Sequence, residues 1–355
     1  MSTAGTSIRL SNIQVLRAFG ALAVANYHTG FTWGVGRPVG SFGVAIFFVI
    51  SGFIMAMICD TNPQHFIARR VARIVPLYWL LTLAVAAMAL VAPNLLGRTS
   101  VNLAVLLKSL FFIPYKTNGA YFPVLFLGWS LNYEMYFYVL IAGGLLISKR
   151  GAAIIAAVVM TLILVAIRVF QFTGAISFYA RPIIFEFVAG VFCYYCFRVI
   201  PTRAILRLRW PLFFVVGASS LGIIAAAIYV KGGSTPLVVG AASTVLVLCA
   251  VLLDKASLSL RRRSVLLLGD ASYVLYLIHP YCQQALNKLL APSIPILATD
   301  TAVGMLFATA ITIAVALFVF RYIDNPLHQL FHRLLSKPWP SNVPSAVLPL
   351  GNIQV

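Results

Sequence analysis

The chain has 355 residues, of which 61% are hydrophobic and only 9% are charged, and its mean hydropathy is +0.98. Soluble domains carry about 25% charged residues, so the composition argues against a soluble globular protein and predicts an all-α, polytopic integral membrane protein. The net charge of +19 is not gathered in a solvated basic domain, which argues against nucleic-acid binding.

Several apolar stretches are close to the roughly 20 residues that a helix needs to cross a hydrocarbon core. They predict about ten membrane-spanning helices. A shorter apolar piece at 101–113 is expected to lie along the interface or to re-enter the membrane. The chain shows no internal repeat, which weakens a transporter interpretation. The ten spans are predicted at 11–30, 40–59, 74–92, 125–147, 152–170, 180–199, 211–230, 235–253, 267–288 and 301–321.

The positions of lysine and arginine predict the sidedness of these spans. With the N-terminus inside, 17 of the 26 lysines and arginines fall on the inner side, seven fall on the outer side and two lie within spans. Cytoplasmic loops of membrane proteins carry such an excess, so both termini are predicted to be cytoplasmic. Residues 1–338 are expected to form a single transmembrane domain, and the uncharged, proline-containing segment 339–355 a flexible cytoplasmic tail.

The first span carries the strongest candidate for chemistry, His28. Arg17 precedes it by eleven residues, or about three helical turns, so both side chains share one face roughly 16 Å apart along the axis. Ionisable groups at membrane depth are costly and face a bundle interior or a wet cavity. Histidine is also the side chain best matched to proton transfer near neutral pH. The alternative is a histidine that is hydrogen-bonded and only packs.

Two carboxylates lie within later apolar spans. Glu134 is predicted to orient His28 and to stabilise an imidazolium, as the third group of a hydrolytic triad does. The alternative is a structural pair with an arginine such as Arg17 or Arg181. Glu186, near the outer side, is predicted to contact substrate, with an ion pair to Arg181 as its alternative.

Three arginines, Arg69, Arg70 and Arg73, sit at the cytoplasmic mouth of the third span. Arg70 and Arg73 are three residues apart and share a helical face. Guanidinium forks match phosphate geometry, so the cluster is predicted to bind a phosphate-bearing group. Topology signalling and contact with lipid headgroups are the alternative.

Ser51 and His279 are two further candidates for substrate contact. Ser51 is not in a Gly-x-Ser-x-Gly elbow, so the run Ser51-Gly52-Phe53 favours a small-residue notch between helices over a nucleophile. His279 precedes a proline at mid-span, which frees a backbone carbonyl and kinks the helix. Packing is the alternative for both residues.

Metal and nucleotide-hydrolysis chemistry have no support in the sequence. It has no phosphate loop, no Rossmann glycine pattern and no zinc-type spacing of cysteine and histidine. The five scattered cysteines are best explained as small packing residues. No metal ligand is therefore predicted.

In chain order, the polar residues belong to six motifs that resemble those of the membrane-bound acyltransferase-3 family. Within that family the chain looks most like the exopolysaccharide O-acetyltransferases. The motifs extend over some 310 residues, which makes the match specific. The last motif often has Glu where this chain has Asp324, and this leaves the role of that position open. The motifs are Arg17-x10-His28, Gly43–Phe53, Arg70-x-x-Arg73, Trp129–Tyr138, Gly269–Pro280 and Arg321–Pro326.

The resemblance implies transfer of an acyl group, by default acetyl, from cytoplasmic acyl-CoA to a sugar hydroxyl at a bacterial inner membrane. It points to His28 as the catalytic residue, to Arg17 as its partner and to Arg70 and Arg73 as donor-side residues. Acyl-CoA is expected as a co-substrate rather than a bound cofactor. The expected partners are a polysaccharide or lipid-linked oligosaccharide acceptor, membrane lipids and exopolysaccharide assembly proteins.

Three alternatives stay open at the level of the sequence. His28 either acts as a general base or forms a transient acyl-histidine. The second alternative is that the chain is a transporter or flippase for a glycolipid or an acyl group, with the buried charges lining a pathway. The third alternative is a non-catalytic scaffold of a polysaccharide export complex, which would have no need to bury His28 and Glu134.

Overall fold

A computed structural model of the chain describes residues 10–34, 39–92, 96, 101–116, 119–229 and 235–335. Fourteen α-helices occur within these ranges, with no β-strand among the described residues. The helices are α1 (Ser11–Thr29), α2 (Gly43–Thr61), α3 (Phe66–Val91), α4 (Leu103–Leu110), α5 (Trp129–Ile147), α6 (Ala152–Val169), α7 (Ile184–Val199), α8 (Thr202–Arg207), α9 (Arg209–Tyr229), α10 (Thr235–Lys255), α11 (Arg263–Asp270), α12 (Ser272–Leu289), α13 (Ala302–Val319) and α14 (Asn325–Leu335).

Seven of the described helical segments are long and apolar enough to cross a membrane. They contain α2, α3, α5, α6, α9, α10 and the continuous run of α13 into α14. An eighth is added if α11 and α12, which meet at a bend of 73°, form one broken span. These segments confirm the predicted class of an all-α, polytopic membrane protein.

Two of the ten predicted spans form helices that are not both long enough and apolar enough to count among these membrane-crossing segments. Helix α1 is long enough, but Arg17, Asn26 and His28 make it the more polar of the two. Helix α7 has only 16 residues. The count of ten and the cytoplasmic placement of both termini therefore stay predictions. The tail at 339–355 and the domain boundary at 338 lie outside the described residues.

Helix α2 lies at the centre of the bundle, and 78% of its span is buried, against 11% for the peripheral α9. It packs against α1, α7 and α10. Its closest neighbour is α7, where Gly52 and Gly190 face each other. A Cβ on Gly52 would lie 2.1 Å from the carbonyl oxygen of Phe187, so only glycine permits this crossing.

The short apolar piece near residue 101 forms the eight-residue helix α4, which is too short to span a bilayer. Asn102 caps its start by accepting a hydrogen bond from the Val105 amide at 2.8 Å. Tyr78 and Trp79 of α3 donate to the carbonyls of Ser109 and Leu110 at 2.9 and 2.8 Å. These bonds satisfy the free carbonyls at the helix end and attach α4 to α3.

The N-terminal end of α1 is fixed by a long-range cap. Both carboxylate oxygens of Asp254, at the end of α10, accept the backbone N–H of Asn12 at 3.0 Å. Carboxylates stabilise a helix N-terminus because its first N–H groups are free and its dipole is positive there. Gly269 of α11 touches the same turn, since a Cβ there would lie 2.3 Å from the Gln14 carbonyl oxygen. The start of α1 is thus held by two other helices.

Candidate active site

The last turn of α1 brings His28 against His279 of α12. His28 Nδ1 lies 3.1 Å from His279 Nε2. Each ring also places its Nδ1 near the carbonyl one turn back on its own helix: His28 at 2.9 Å from the Val24 oxygen and His279 at 3.2 Å from the Leu275 oxygen. The His279 side chain is fully buried, whereas His28 is half-buried.

These contacts assign the protons on the two rings. A carbonyl oxygen accepts only, so His279 Nδ1 carries the proton that it shares with Leu275. His279 Nε2 is then unprotonated and accepts from His28 Nδ1–H, which also faces the Val24 carbonyl. The lone pair of His28 therefore lies on Nε2. This tautomer is the one that a general base needs.

A polar row on α12 fixes the C-terminal end of α1, with one residue for each turn. One turn beyond His279, the amide of Gln283 donates to the Ala25 carbonyl at 2.8 Å. One turn further, Asn287 donates to the hydroxyl of Thr299, which in turn donates to the Thr29 carbonyl at 2.9 Å. The end of α1 would otherwise leave free carbonyls in a buried setting. His28 is thus held by helix-to-helix bonds on either side of its ring.

Aromatic rings surround the remaining sides of His28. Tyr27 and Phe126 meet the imidazole edge-on, with ring centroids 5.2 and 5.5 Å away. Tyr27 is 37% exposed, and Phe122, whose ring packs on Phe126, is 45% exposed. An apolar surface that faces solvent therefore adjoins the imidazole.

A cavity of about 150 Å³ lies among α1, α2, α3, α5 and α12, on the arginine-bearing side of His28. Its charged lining comes from Arg17, Arg70, Arg73 and Glu134, and its apolar lining from residues such as Phe47. Three cations against one carboxylate make the cavity a site for a negatively charged group. The Nε of Arg70 is buried and has no hydrogen-bond partner among the described residues.

Glu134 has a different partner from the one that the sequence predicted. Its Oε2 accepts a hydrogen bond from Ser51 at 2.9 Å, and both residues line the arginine cavity. The polar contact on His28 is made by His279 instead. We therefore correct the prediction that Glu134 orients His28. The role of Ser51 is also clearer, because it holds the carboxylate that balances the arginines.

Arg73 is held by a buried ion pair. Its Nη1 lies 2.8 Å from Oδ2 of Asp324, and the two side chains are 20% and 2% exposed. The guanidinium also lies 5.4 Å from the ring centroid of Tyr273, a favourable cation–π geometry. Asp324, whose role the sequence left open, is thus the residue that fixes Arg73.

Arg69 and Glu186 lie outside the cavity that their neighbours form. Arg69 donates to the Asn62 carbonyl. Glu186 is 6% exposed and packs against Gly240 of α10, and its Oε2 has no hydrogen-bond partner among the described residues. Its alternative partner, Arg181, instead stacks on Phe178 at 5.6 Å. Neither residue touches the cavity, so the geometry does not support their predicted roles in binding.

His279 was predicted to contact substrate, but its side chain is 0% exposed and meets His28. We therefore reassign it as a residue that positions His28. Tyr276, one turn before it, lines the end of the cavity nearest His279: its hydroxyl lies 2.9 Å from Ser130 Oγ, and its ring lies 6.2 Å from that of His279. The arginine cavity and the histidine pair are thus separated by one layer of side chains.

Sequence reasoning missed Tyr276 and the pairing of Asp324. Both lie in motifs that the sequence displays, Gly269–Pro280 and Arg321–Pro326. One available signal was the i, i+3 spacing of Tyr276 and His279, which places them on one helix face. No local signal links Asp324 to Arg73, because the two are 251 residues apart.

The Asp324→Asn substitution should destabilise the protein, because it leaves the Arg73 guanidinium partly buried without its counter-charge. We expect a loss of about 3–5 kcal/mol, the range for breaking a buried pair from one side, measured by thermal unfolding in detergent. The matched control is Asp60→Asn, which breaks the more exposed pair of Asp60 with Arg198 and should cost about 1–2 kcal/mol, including the bond from Tyr194. Equal losses in the two variants would contradict a special role for the Arg73–Asp324 pair.

Comparison with known proteins gives a family match over most of the chain. The acyltransferase domain of the acyltransferase-3 family matches residues 10–321. The exopolysaccharide production protein ExoZ of Rhizobium meliloti (strain 1021) is 37% identical over 274 residues, which are 74% of this chain and 82% of that protein. The putative peptidoglycan O-acetyltransferase YrhL of Bacillus subtilis (strain 168) is 31% identical over 170 residues, 42% of this chain and 26% of that protein.

No solved structure gives a significant match. The family match nevertheless covers α1 to α13 and the start of the π-helical turn at Phe320–Asp324, and thus includes both histidines and the whole arginine cluster. On this evidence from sequence and fold, the chain belongs to the acyltransferase-3 family of membrane acyltransferases.

Proposed function

We propose that this protein transfers an acetyl group from cytoplasmic acetyl-CoA to a hydroxyl of a bacterial exopolysaccharide or its lipid-linked precursor, with His28 as general base. The observation that carries the proposal is the hydrogen-bonded pair of His28 and His279, which leaves His28 Nε2 free to accept a proton. The similarity to an exopolysaccharide production protein and to a putative peptidoglycan O-acetyltransferase supports a polysaccharide acceptor. We place the protein in the inner membrane.

The arginine cavity is the proposed donor site. Arg70 and Arg17 would bind phosphates of CoA, since charge-assisted bonds from guanidinium to phosphate are strong and geometrically specific. Arg73 is already held by Asp324 and would add positive charge rather than a free fork. The pantetheine arm would then extend along the apolar wall at Phe47 toward Tyr276 and the histidine pair.

The proposed chemistry is a direct transfer. The acceptor oxygen attacks the thioester carbonyl carbon while His28 Nε2 removes the hydroxyl proton. The carbon–sulfur bond breaks, and the imidazolium returns the proton to the departing thiolate of CoA. His279 accepts a hydrogen bond from His28 Nδ1–H throughout and so keeps the reactive lone pair on Nε2. General base catalysis of this kind contributes about 10²–10⁴-fold.

The acceptor would approach from the opposite side of His28. Tyr27 and Phe126 flank the imidazole there, and an aromatic wall suits the apolar face of a sugar ring while the hydroxyl points to Nε2. Donor and acceptor would thus meet at His28 from the two ends of the bundle. This arrangement accounts for a base on the last turn of α1 with one cation, Arg17, three turns earlier on the same helix.

The His28→Ala substitution should abolish transfer, because it removes the imidazole Nε2 that we propose as the base. The measurement uses membranes from expressing cells, radiolabelled acetyl-CoA and a glycolipid extract, and counts label in base-labile sugar ester. We expect a loss of about 10²-fold or more. Full activity of the variant, or a trapped acetylated wild-type protein in single turnover, would contradict the role of His28 as a base. If neither preparation incorporates label, the assay is repeated with succinyl-CoA. If label is still absent, the result favours the transporter alternative.

The His279→Leu substitution should lower kcat by about 10–100-fold, since misorienting a catalytic group by about an ångström has effects of this size. The KM for acetyl-CoA should change little, because His279 does not line the arginine cavity. The matched variant is His279→Gln, whose amide oxygen can accept from His28 Nδ1–H and should restore part of the activity. If the leucine and glutamine variants were equally active, the hydrogen bond would have no role in positioning His28.

The Arg70→Gln substitution should raise the KM for acetyl-CoA by about 10–100-fold, in line with about 1.5–3 kcal/mol for a hydrogen bond to a charged group. Its kcat should fall much less, because Arg70 is remote from the histidines. The control is Arg69→Gln on the next residue, which removes one positive charge outside the cavity. An equal rise in KM in both variants would mean that overall charge, and not the cavity, attracts the donor.

A further inference from the structure

A second concave site lies on the outside of the bundle, between α3 and α14. It has a volume of about 530 Å³ and is lined only by apolar and aromatic side chains and two prolines. Pro76, Trp79 and Leu80 form the α3 wall, and Ile323, Leu327 and Phe331 belong to the opposite wall. We call it the α3–α14 groove. It shares no lining residue with the arginine cavity.

The walls of the groove are fixed in place. The indole N–H of Trp79 donates to the Leu110 carbonyl at 2.8 Å, so the ring cannot turn to fill the space. On the opposite wall, Ile323 lies within the π-helical turn Phe320–Asp324, and Asp324 is held by Arg73. A groove with fixed walls favours an occupant from outside over collapse of its own side chains.

Helix α14 carries positive charge along the edge of the groove. Its apolar residues lie on one face, and the helix has no acidic residue. Arg333 is exposed and follows Pro326 of the groove by seven residues, so it lies on nearly the same face two turns on. Arg321, also exposed, directly precedes the lining residue Tyr322. Asp324, the carboxylate nearest in sequence, is engaged by Arg73.

We propose that the α3–α14 groove binds an acyl chain of an anionic phospholipid, whose headgroup contacts Arg333 on the groove side of α14. An amphipathic helix with basic residues at the edge of its apolar face is the element that binds such lipids at a membrane surface. The groove lies at the arginine-bearing end of α3, where the positive-inside rule places the cytoplasmic leaflet. The bound chain lies directly behind the Arg73–Asp324 pair, because Pro76 and Ile323 adjoin those two residues.

Trp79 makes the proposal testable, because bromine atoms on a lipid chain quench the fluorescence of a tryptophan that they touch. The whole protein is purified in detergent and reconstituted into vesicles of synthetic phosphatidylcholine that contain either brominated phosphatidylglycerol or brominated phosphatidylcholine. Synthetic lipid excludes glycolipids of the host from the groove. The part of the quenching that is lost in Trp79→Phe measures occupancy at the groove. Trp210→Phe is the matched control, since Trp210 is 70% exposed on the peripheral helix α9.

The expected result is that the quenching due to Trp79 reaches its half-maximum at about fivefold less brominated phosphatidylglycerol than phosphatidylcholine, given one cation at the headgroup position. The substitution R333Q should remove this preference. The control R262Q, which removes the same charge from another exposed position, should keep it. The quenching due to Trp210 should be equal in the two lipids.

Two outcomes would overturn the proposal. Equal quenching of Trp79 by both lipids would mean that ordinary bilayer lipid fills the groove without regard to charge. Quenching by neither lipid would mean that protein, for instance a second copy of this chain, covers Trp79. Because neither readout uses acetyl transfer, the result is independent of the proposed enzymatic function.

Discussion

Within a bilayer, polar groups find their hydrogen-bond partners inside the protein, and this requirement shapes helix α1 from end to end. Its first turn takes a carboxylate from α10, its middle contributes Arg17 to a shared cavity, and its last turn is bonded to a polar row on α12. The helix is too polar to be stable against lipid. It is stable because three other helices provide contacts for its polar groups, and the same contacts fix the position of His28.

The histidine pair has consequences for the charge of the site. Two imidazoles in direct contact cannot both be protonated without repulsion, and the second ring is fully buried. Double protonation is therefore disfavoured, and in the neutral, hydrogen-bonded pair one ring supplies an acceptor while the other presents a lone pair. A carboxylate in place of His279 would favour the imidazolium form more strongly than a neutral imidazole does. Glu134 lies instead among the arginines that line the cavity.

The sequence was sufficient for much of the fold because lipid imposes a simple rule on length and hydropathy. It predicted an all-helical membrane bundle, and it predicted helices at both spans that the apolar criterion alone does not support, α1 and α7. It also placed Arg17 and His28 on one face, since that follows from helical periodicity. The sequence could not show which side chains on different helices contact each other. Whether His28 meets Glu134 or His279 depends on how α1, α5 and α12 cross, and crossing angles follow from close packing rather than from any local pattern.

The same limit explains Glu186 and Asp324, two carboxylates in apolar surroundings with opposite outcomes. A single sequence indicates only that such a group is unusual. In the structure the π-helical turn at Phe320–Asp324 shifts the register of the helix relative to a regular α-helix. Asp324 pairs with Arg73, while its neighbours Tyr322 and Ile323 line the outer groove. Such turns are rare and concentrate at functional sites. Here one turn separates the charged interior from the lipid-facing surface, so the position of Arg73 depends on the packing of α14 against α3.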